Sequence, residues 1–415
     1  MRRTRLSVAA LIATMCVASF TGCECNSSQV VAPPLPPLSA VVLTPVTDTL
    51  VVGAQRLFVA AALDTDGVAV AGAAFTWTTG DPGVITVSNT GLVTAVGEGV
   101  TLLIAGAGGF ADTAVVAAIV QPGWYTQTSS TTGNLNGVFF AADGRQGWAV
   151  GDAGTIVRST NAGAAWTIQT SSTVEDLQDV WFTTALTGFA VGTGGTIMRT
   201  RNGGSSWARL NNTGTVDALY GVCFADTSHG WAAGANGTIL RTTNGGATWS
   251  KLNPTGAQLN SVSFSDTTNG WAVGETGVIV GTHDGGRSWY IVQPAVTALA
   301  LRAVWRLSNT RALAGGVAGA NPFTTATVDS LQWSLGTLGG ANQVEGLHMV
   351  SDQIGYAVGT NGSGLILKTL DGGLNWSPQT SNSAQALNDV WFVDALRGWA
   401  VGVGGRIVHT SKGGL

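Results

Sequence analysis

Three observations predict an all-β chain built on a repeated sheet. Charged residues fill only 10% of the 415 positions while glycine takes 59 and tryptophan 15, a mix that suits short strands and tight turns better than helices. Short β-branched and aromatic runs alternate with Gly, Asp and Pro turns. From residue 147 onward one pentapeptide returns every 40 to 44 residues. The first two observations set the class. The third sets the architecture: seven units of four short strands, closing into a seven-bladed β-propeller behind a smaller β-sandwich.

An apolar content of 45% is ample for packed cores. The net charge of −4 offers no basic face to a phosphate backbone, so nucleic acid is excluded as a partner. Cys16, Cys23 and Cys25 crowd the N-terminus and Cys223 lies in a strand-like run. That distribution builds no disulfide framework, and Cys223 reads as a small buried thiol.

Residues 1–22 read as an export signal. Three arginines in Met1 to Arg5 precede an apolar stretch from Leu6 to Phe20, which ends in Phe20-Thr21-Gly22-Cys23. Fifteen residues fall short of the about 20 that a membrane-spanning helix needs. The small pair before Cys23 resembles the lipobox of bacterial lipoproteins, with Phe20 in place of the usual aliphatic residue. That resemblance implies cleavage before Cys23 and acylation of its thiol and amine, hence a membrane anchor. Several acyl chains, each buried CH₂ adding about 0.8 kcal/mol, make release slow. Residues 23–37, with Pro33-Pro34 and Pro36-Pro37, then read as an extended tether.

Residues 38–120 carry runs such as Val41-Val42-Leu43, Leu57-Phe58-Val59 and Val84-Ile85-Thr86-Val87, room for about eight strands at sandwich spacing. Phe75-Thr76-Trp77-Thr78, Asp81-Pro82 and Gly91 to Gly99 resemble the bacterial Ig-like domain of group 2. Trp77 reads as a core residue between its sheets. Such domains imply a spacer that lifts the next one off the membrane.

The propeller spans residues 124–415. Gly147-Trp148-Ala149-Val150-Gly151 returns at Gly188, Gly230, Gly270, Gly355 and Gly398, with a degenerate copy from Arg311 to Gly315. The third unit shows the four parts well: Leu219 to Phe224, Gly230 to Gly234, Thr238 to Thr242 and Trp249 to Leu252. The seventh unit stops before its fourth strand, and the missing strand stands at Trp124 to Ser130, where the sequence matches Trp166 to Ser172. Residues 124–130 therefore complete the last blade, and closure removes exposed strand edges.

Between third and fourth strands, Ser159 to Trp166, Thr200 to Trp207, Thr242 to Trp249, Thr282 to Trp289 and Thr369 to Trp376 are similar to the Asp-boxes of bacterial neuraminidase repeats. Asn161, Asn202, Asn244, Asp284 and Asp371 take a turn position there, where a short carbonyl side chain bonds backbone amides. Together with Leu-x-x-Val-x-Phe and Gly-Thr-Ile-x-Arg-Thr, the pattern resembles the photosystem II assembly and stability factor family. In its photosynthetic members that resemblance implies a non-catalytic assembly factor for a membrane-protein precursor. A lipid anchor and an Ig-like stalk depart from those members, so that partner does not carry over.

No catalytic, metal or cofactor motif stands out. His229, His283, His348 and His409 come from four units without ligand spacing. Glu175, Glu275 and Glu345 are the propeller's glutamates, and of the tyrosines Tyr125, Tyr290 and Tyr356 fit the repeat, leaving Tyr220 on an inner strand. Arg158, Arg199, Arg241, Lys368 and His409 share a third-strand slot whose stems pack between blades. The binding candidates occupy the slot after the first residue of each inner strand: Asn136, Gln178, Tyr220, Asn260, Arg302, Glu345 and Asn388. These varied polar residues would ring one mouth of the axial channel. The fifth unit departs from the others, with Arg306 for the Phe and a long loop from Gly315 to Thr325. The reading is a monomeric, non-enzymatic lipoprotein of the outer membrane or cell surface, binding an envelope protein or glycan and needing no cofactor. The alternative is an extracellular glycoside hydrolase, sialidase-like or glucan-cleaving.

Overall fold

The computed structural model describes residues 36–120, 123–211, 213–292, 297–308, 311–317, 333 and 343–414. The export signal, Cys23 and nearly all of the tether lie outside the described residues, as does the fifth-unit loop beyond residue 317. Among the described residues the chain is all-β, with four one-turn 3₁₀ segments as its helical content, and no helix is long and apolar enough to cross a membrane.

Nine strands lie between Leu38 and Ile119. Leu38–Thr44 pairs with Val59–Asp64, and a four-stranded sheet runs Thr47–Val51, Phe110–Ile119, Gly99–Ala107, Thr76–Thr79. A three-stranded sheet joins Gln55–Leu57, Leu92–Ala95 and Ile85–Val87. Leu43, Phe58, Ile85, Val93, Leu103 and Val116 form the core. The run read as one strand around Phe58 is broken there. Gln55–Leu57 and Val59–Asp64 belong to different sheets, and the crossing residue buries its ring in the core. This break is why there are nine strands rather than about eight. Trp77 is half-buried and packs on the core's margin, its ring lying where a Cβ on Gly91 would stand 2.7 Å away.

The rest of the chain repeats one plan. In the first unit Leu135–Phe140, Gly147–Gly151, Ile156–Ser159 and Thr167–Gln169 pair in sequence order, all antiparallel. The second, third, fourth and sixth units do the same. The fifth shows Leu301–Ser308 paired with Arg311–Gly316 among its described residues. The last sheet holds Leu387–Phe392, Gly398–Gly402 and Arg406–Thr410, and its fourth strand is Tyr125–Gln127, with Tyr125 opposite His409 and Thr126 opposite Val408. Each inner strand touches the next, and the seventh touches the first. The sheets therefore surround an axis, and the first strand of the repeat region, Tyr125–Gln127, is joined to its last, Arg406–Thr410, by strand pairing.

The Gly-Trp-Ala-Val-Gly strands are buried along their whole length because neighbouring sheets cover both faces. Between sheets the second-strand aromatic lies flat on the Phe that ends the next inner strand: Trp148 on Phe182 at 3.6 Å, Trp231 on Phe264 at 3.4 Å, Tyr356 on Phe392 at 3.7 Å, and Trp399 on Phe140 at 3.6 Å across the closure. Each stacked pair is worth about 0.5–1.5 kcal/mol beyond burial. The indole N–H of Trp148 donates to Gly203 O at 3.1 Å, that of Trp231 to Gly285 O at 3.0 Å, and that of Trp399 to Ala162 O at 3.2 Å, all within the next unit's Asp-box. The box holds its own shape through its Asn or Asp, as when Asn161 Oδ1 accepts from Ala165 N at 2.9 Å and Asp371 Oδ1 from Asn375 N at 2.8 Å. The third-strand cations join the same clasp. Arg241 Nε donates to Gly285 O at 2.6 Å and Lys368 Nζ to Gly413 O at 2.9 Å, so these heads are spent between sheets.

Candidate functional site

The inner strands present themselves to the axis through a repeated irregularity. In every unit the register shifts across one residue near the start of the inner strand, from Leu135/Gly137 round through Val344/Gly346 to Leu387/Asp389. A bulge leaves one residue unpaired and re-aims its side chain. The bulged residues are Asn136, Gln178, Tyr220, Asn260, Arg302, Glu345 and Asn388, and all seven line one axial cavity of about 160 Å³.

Their chemistry is divided. Asn136, Asn260 and Asn388 spend their amide hydrogens on the next inner strand, reaching Leu177 O at 2.9 Å, Leu301 O at 2.8 Å and Leu135 O at 2.9 Å. These amides brace the ring as well as line it. Arg302 forms an ion pair with Glu275 at 2.8 Å and faces Glu345 at 4.0 Å, and burial pushes the Glu345 carboxyl up from its ordinary value. The side chains of Gln178 and Tyr220 make no hydrogen bond among the described residues, so their polar ends face the cavity unspent.

The next layer inward was not singled out by the sequence. Its residues are Gly137, Asp179, Gly221, Ser261, Ala303, Gly346 and Asp389. Three glycines permit close approach: a Cβ on Gly137 would stand 2.8 Å from Asp179 Cα, and one on Gly346 2.8 Å from Asp389 Cα. The polar members stitch the strands that follow them. Asp179 Oδ2 accepts from Val222 N at 2.8 Å, Ser261 Oγ from Val304 N at 3.2 Å, and Asp389 Oδ2 from Val138 N at 2.9 Å, the last across the closure. Burial pushes Asp179 up to about 7 and Asp389 well above the ordinary carboxyl range, and the charge of Asp179 raises Asp389 further. The signal was present as an alternation of Gly with Asp or Ser at one slot, which reads as repeat decay until neighbouring units are compared.

Below them the channel is closed by rings. Trp391 stands 4.4 Å from Phe139, 5.4 Å from Trp181, 6.1 Å from Trp305 and 4.5 Å from His348. His348 is buried and held down to about 3 by desolvation, hence neutral. Cys223 completes this layer as a buried thiol whose pKa burial raises. Arg306 replaces the Phe of its unit, buried, with Nε donating to Ser265 Oγ at 2.7 Å and its guanidinium near Asp266 and Tyr290. Among the described residues no group of three or more His, Cys, Asp or Glu side chains is arranged to hold a metal ion.

A family model described as the photosynthesis system II assembly factor YCF48 matches residues 209–296. A solved structure of YCF48 bound to a D1 peptide is 18% identical, with a TM-score of 0.59, covering 71% of this chain and 99% of that one. This chain carries a β-propeller. YCF48 from Cyanidioschyzon merolae gives 19% identity and a TM-score of 0.59 over 69% of this chain and 98% of that one. The propeller of U3-55K is as similar in shape, TM-score 0.58, at only 8% identity over 70% of this chain and all of that one. At these identities the likeness is one of fold. No curated protein matches the sequence.

Proposed function

We propose that this chain is a non-enzymatic, protein-binding scaffold of the cell envelope: a seven-bladed propeller that takes its partner at the mouth ringed by the seven bulged residues. The fifth blade is the one whose inner half is the pair Leu301–Ser308 and Arg311–Gly316. In this reading residues 38–120 are an Ig-like stalk and Cys23, acylated after removal of residues 1–22, is the anchor.

The observation that carries the proposal is that seven varied polar residues, one from each unit, share one cavity, two of them with unspent polar ends. Residues that vary in an otherwise strict repeat, aimed at one space, are what a binding site on a repetitive scaffold requires. The similar YCF48 propeller has been seen with a bound D1 peptide, which supports a protein partner over a glycan. The rival hydrolytic reading would use the same cavity, where Tyr220 and Glu345 also lie.

The test immobilises the full chain and recovers partners from envelope extract, comparing it with a Gln178→Ala/Tyr220→Ala variant, while sialosides and β-glucans are screened for turnover. Recovery of one protein by the parent and its loss with the variant is expected. Turnover abolished by Tyr220→Phe or Glu345→Gln would replace the scaffold reading with the hydrolytic one. For the anchor, Cys23→Ser should move the protein from the membrane to the soluble fraction.

A further inference from the structure

The cavity has a chemically distinct side. Residues two apart on a strand share a face, so Asp179 stands over Trp181 in the second unit and Asp389 over Trp391 in the seventh. The first unit lies between them, contributing Gly137, which has no side chain at the level of the carboxylates, and Phe139 below. Trp181 and Trp391 meet edge to face at 90°, with Phe139 within 5.6 Å of both. Each carboxylate oxygen holds one backbone amide: Val180 and Val222 on Asp179, Val390 and Val138 on Asp389. That leaves acceptor capacity on every oxygen. Neither carboxylate has a cationic partner among the described residues. The cavity's two arginines belong to the opposite side, Arg302 engaged by Glu275 and Glu345, Arg306 by Ser265 and Asp266.

Two carboxyls above the Trp181 and Trp391 rings, all four lining the cavity, form a receptor for an organic cation, because a bound cation favours the ionised carboxyl and the ring faces supply negative potential. Size narrows the choice. A cavity of about 150 Å³ holds one benzene-sized molecule, and this one, at about 160 Å³, takes a single head group with its stem rather than a sugar chain. We infer that the axial cavity binds the ammonium group of a lysine side chain presented by the protein partner, seated between Asp179 and Asp389 on the Trp181 and Trp391 rings. The inference rests on the proposal that the mouth is where a partner docks.

The test is calorimetric titration of the full chain, at pH 8 and fixed ionic strength, with a Gly-Ser peptide carrying one central lysine, its Nε-acetyl-lysine twin, and n-butylammonium. Binding of the lysine peptide at least about tenfold tighter than its twin, weakened at least about tenfold by Asp389→Asn and by Trp391→Leu, is the expected result. Binding of n-butylammonium alone, lost in the same variants, keeps the cation site and makes its source a small amine. Equal binding of both peptides, no binding of any probe, or affinity unchanged in either folded variant overturns the inference. A partner captured in a Gln178-dependent manner alongside such a failure leaves the docking proposal standing and removes the cation.

Discussion

Truncating Trp231 tests the clasp between neighbouring sheets. The side chain is fully buried, lies flat on Phe264 at 3.4 Å, and donates from Nε1 to Gly285 O at 3.0 Å. Removing a buried Trp costs about 3–5 kcal/mol in lost transfer and cavity terms. The Gly285 carbonyl keeps the Arg241 guanidinium at 2.6 Å, so it is not orphaned and adds no desolvation cost. Trp231→Ala is therefore expected to destabilise the propeller by about 4 kcal/mol, and Trp231→Phe, which keeps a ring on Phe264, by about 1–2 kcal/mol. A double-mutant cycle with Phe264→Leu should return a coupling of about 0.5–1.5 kcal/mol. Urea unfolding followed by fluorescence and circular dichroism measures all of these, with Ile168→Ala, exposed at 62%, as the near-neutral control. A cost below about 1 kcal/mol for Trp231→Ala, or zero coupling, would refute the clasp.

Three further outcomes follow from the axis and the closure. Gly137→Ala places a Cβ 2.8 Å from Asp179 Cα and 3.0 Å from Gln178 O, both backbone atoms, so it should cost about 1–3 kcal/mol in urea unfolding, whereas Gly256→Ala, with nothing within 4 Å, should be close to neutral. Because the folded-state pKa of Asp179 is raised to about 7 from 3.8, its contribution to stability is full below the unfolded value and is lost as pH rises from about 4 to 7. The parent should lose urea resistance relative to Asp179→Asn over that window; a constant difference would contradict the burial argument. Thr126→Cys with Val408→Cys, a facing pair, should form an intramolecular disulfide in the native protein and stabilise it by up to about 5 kcal/mol, read as a gel-mobility shift and a raised urea midpoint.

The repeat was legible because its chemistry is redundant: each sheet needs a Gly-aromatic-Ala-Val-Gly strand to pass between two neighbours, so the pattern survives in unit after unit. The completing strand was legible for the same reason, Trp124 to Ser130 being a fourth strand with no first three. The bulged slot stood out because Asn136, Gln178, Tyr220, Asn260, Arg302, Glu345 and Asn388 vary where all else is fixed. That three of these, the asparagines, also brace neighbouring strands could not be read, since the carbonyls they reach are 41 residues or more away. Asp179 and Asp389 were missed because each occupies a slot filled elsewhere by Gly, Ser or Ala, and their burial comes from the ring rather than from local sequence. The break at Phe58 was missed because an apolar run reads as one strand, whether or not the chain changes sheet within it.

The claim on which the rest depends is that a partner meets the propeller at the bulged ring. A photoreactive phenylalanine analogue placed at Gln178, at the cavity, and separately at Ile168, on the outer edge, tests it in intact envelope. The account predicts one discrete adduct from Gln178 and none from Ile168. Adducts from Ile168 alone, equal adducts from both, or none from either would contradict it.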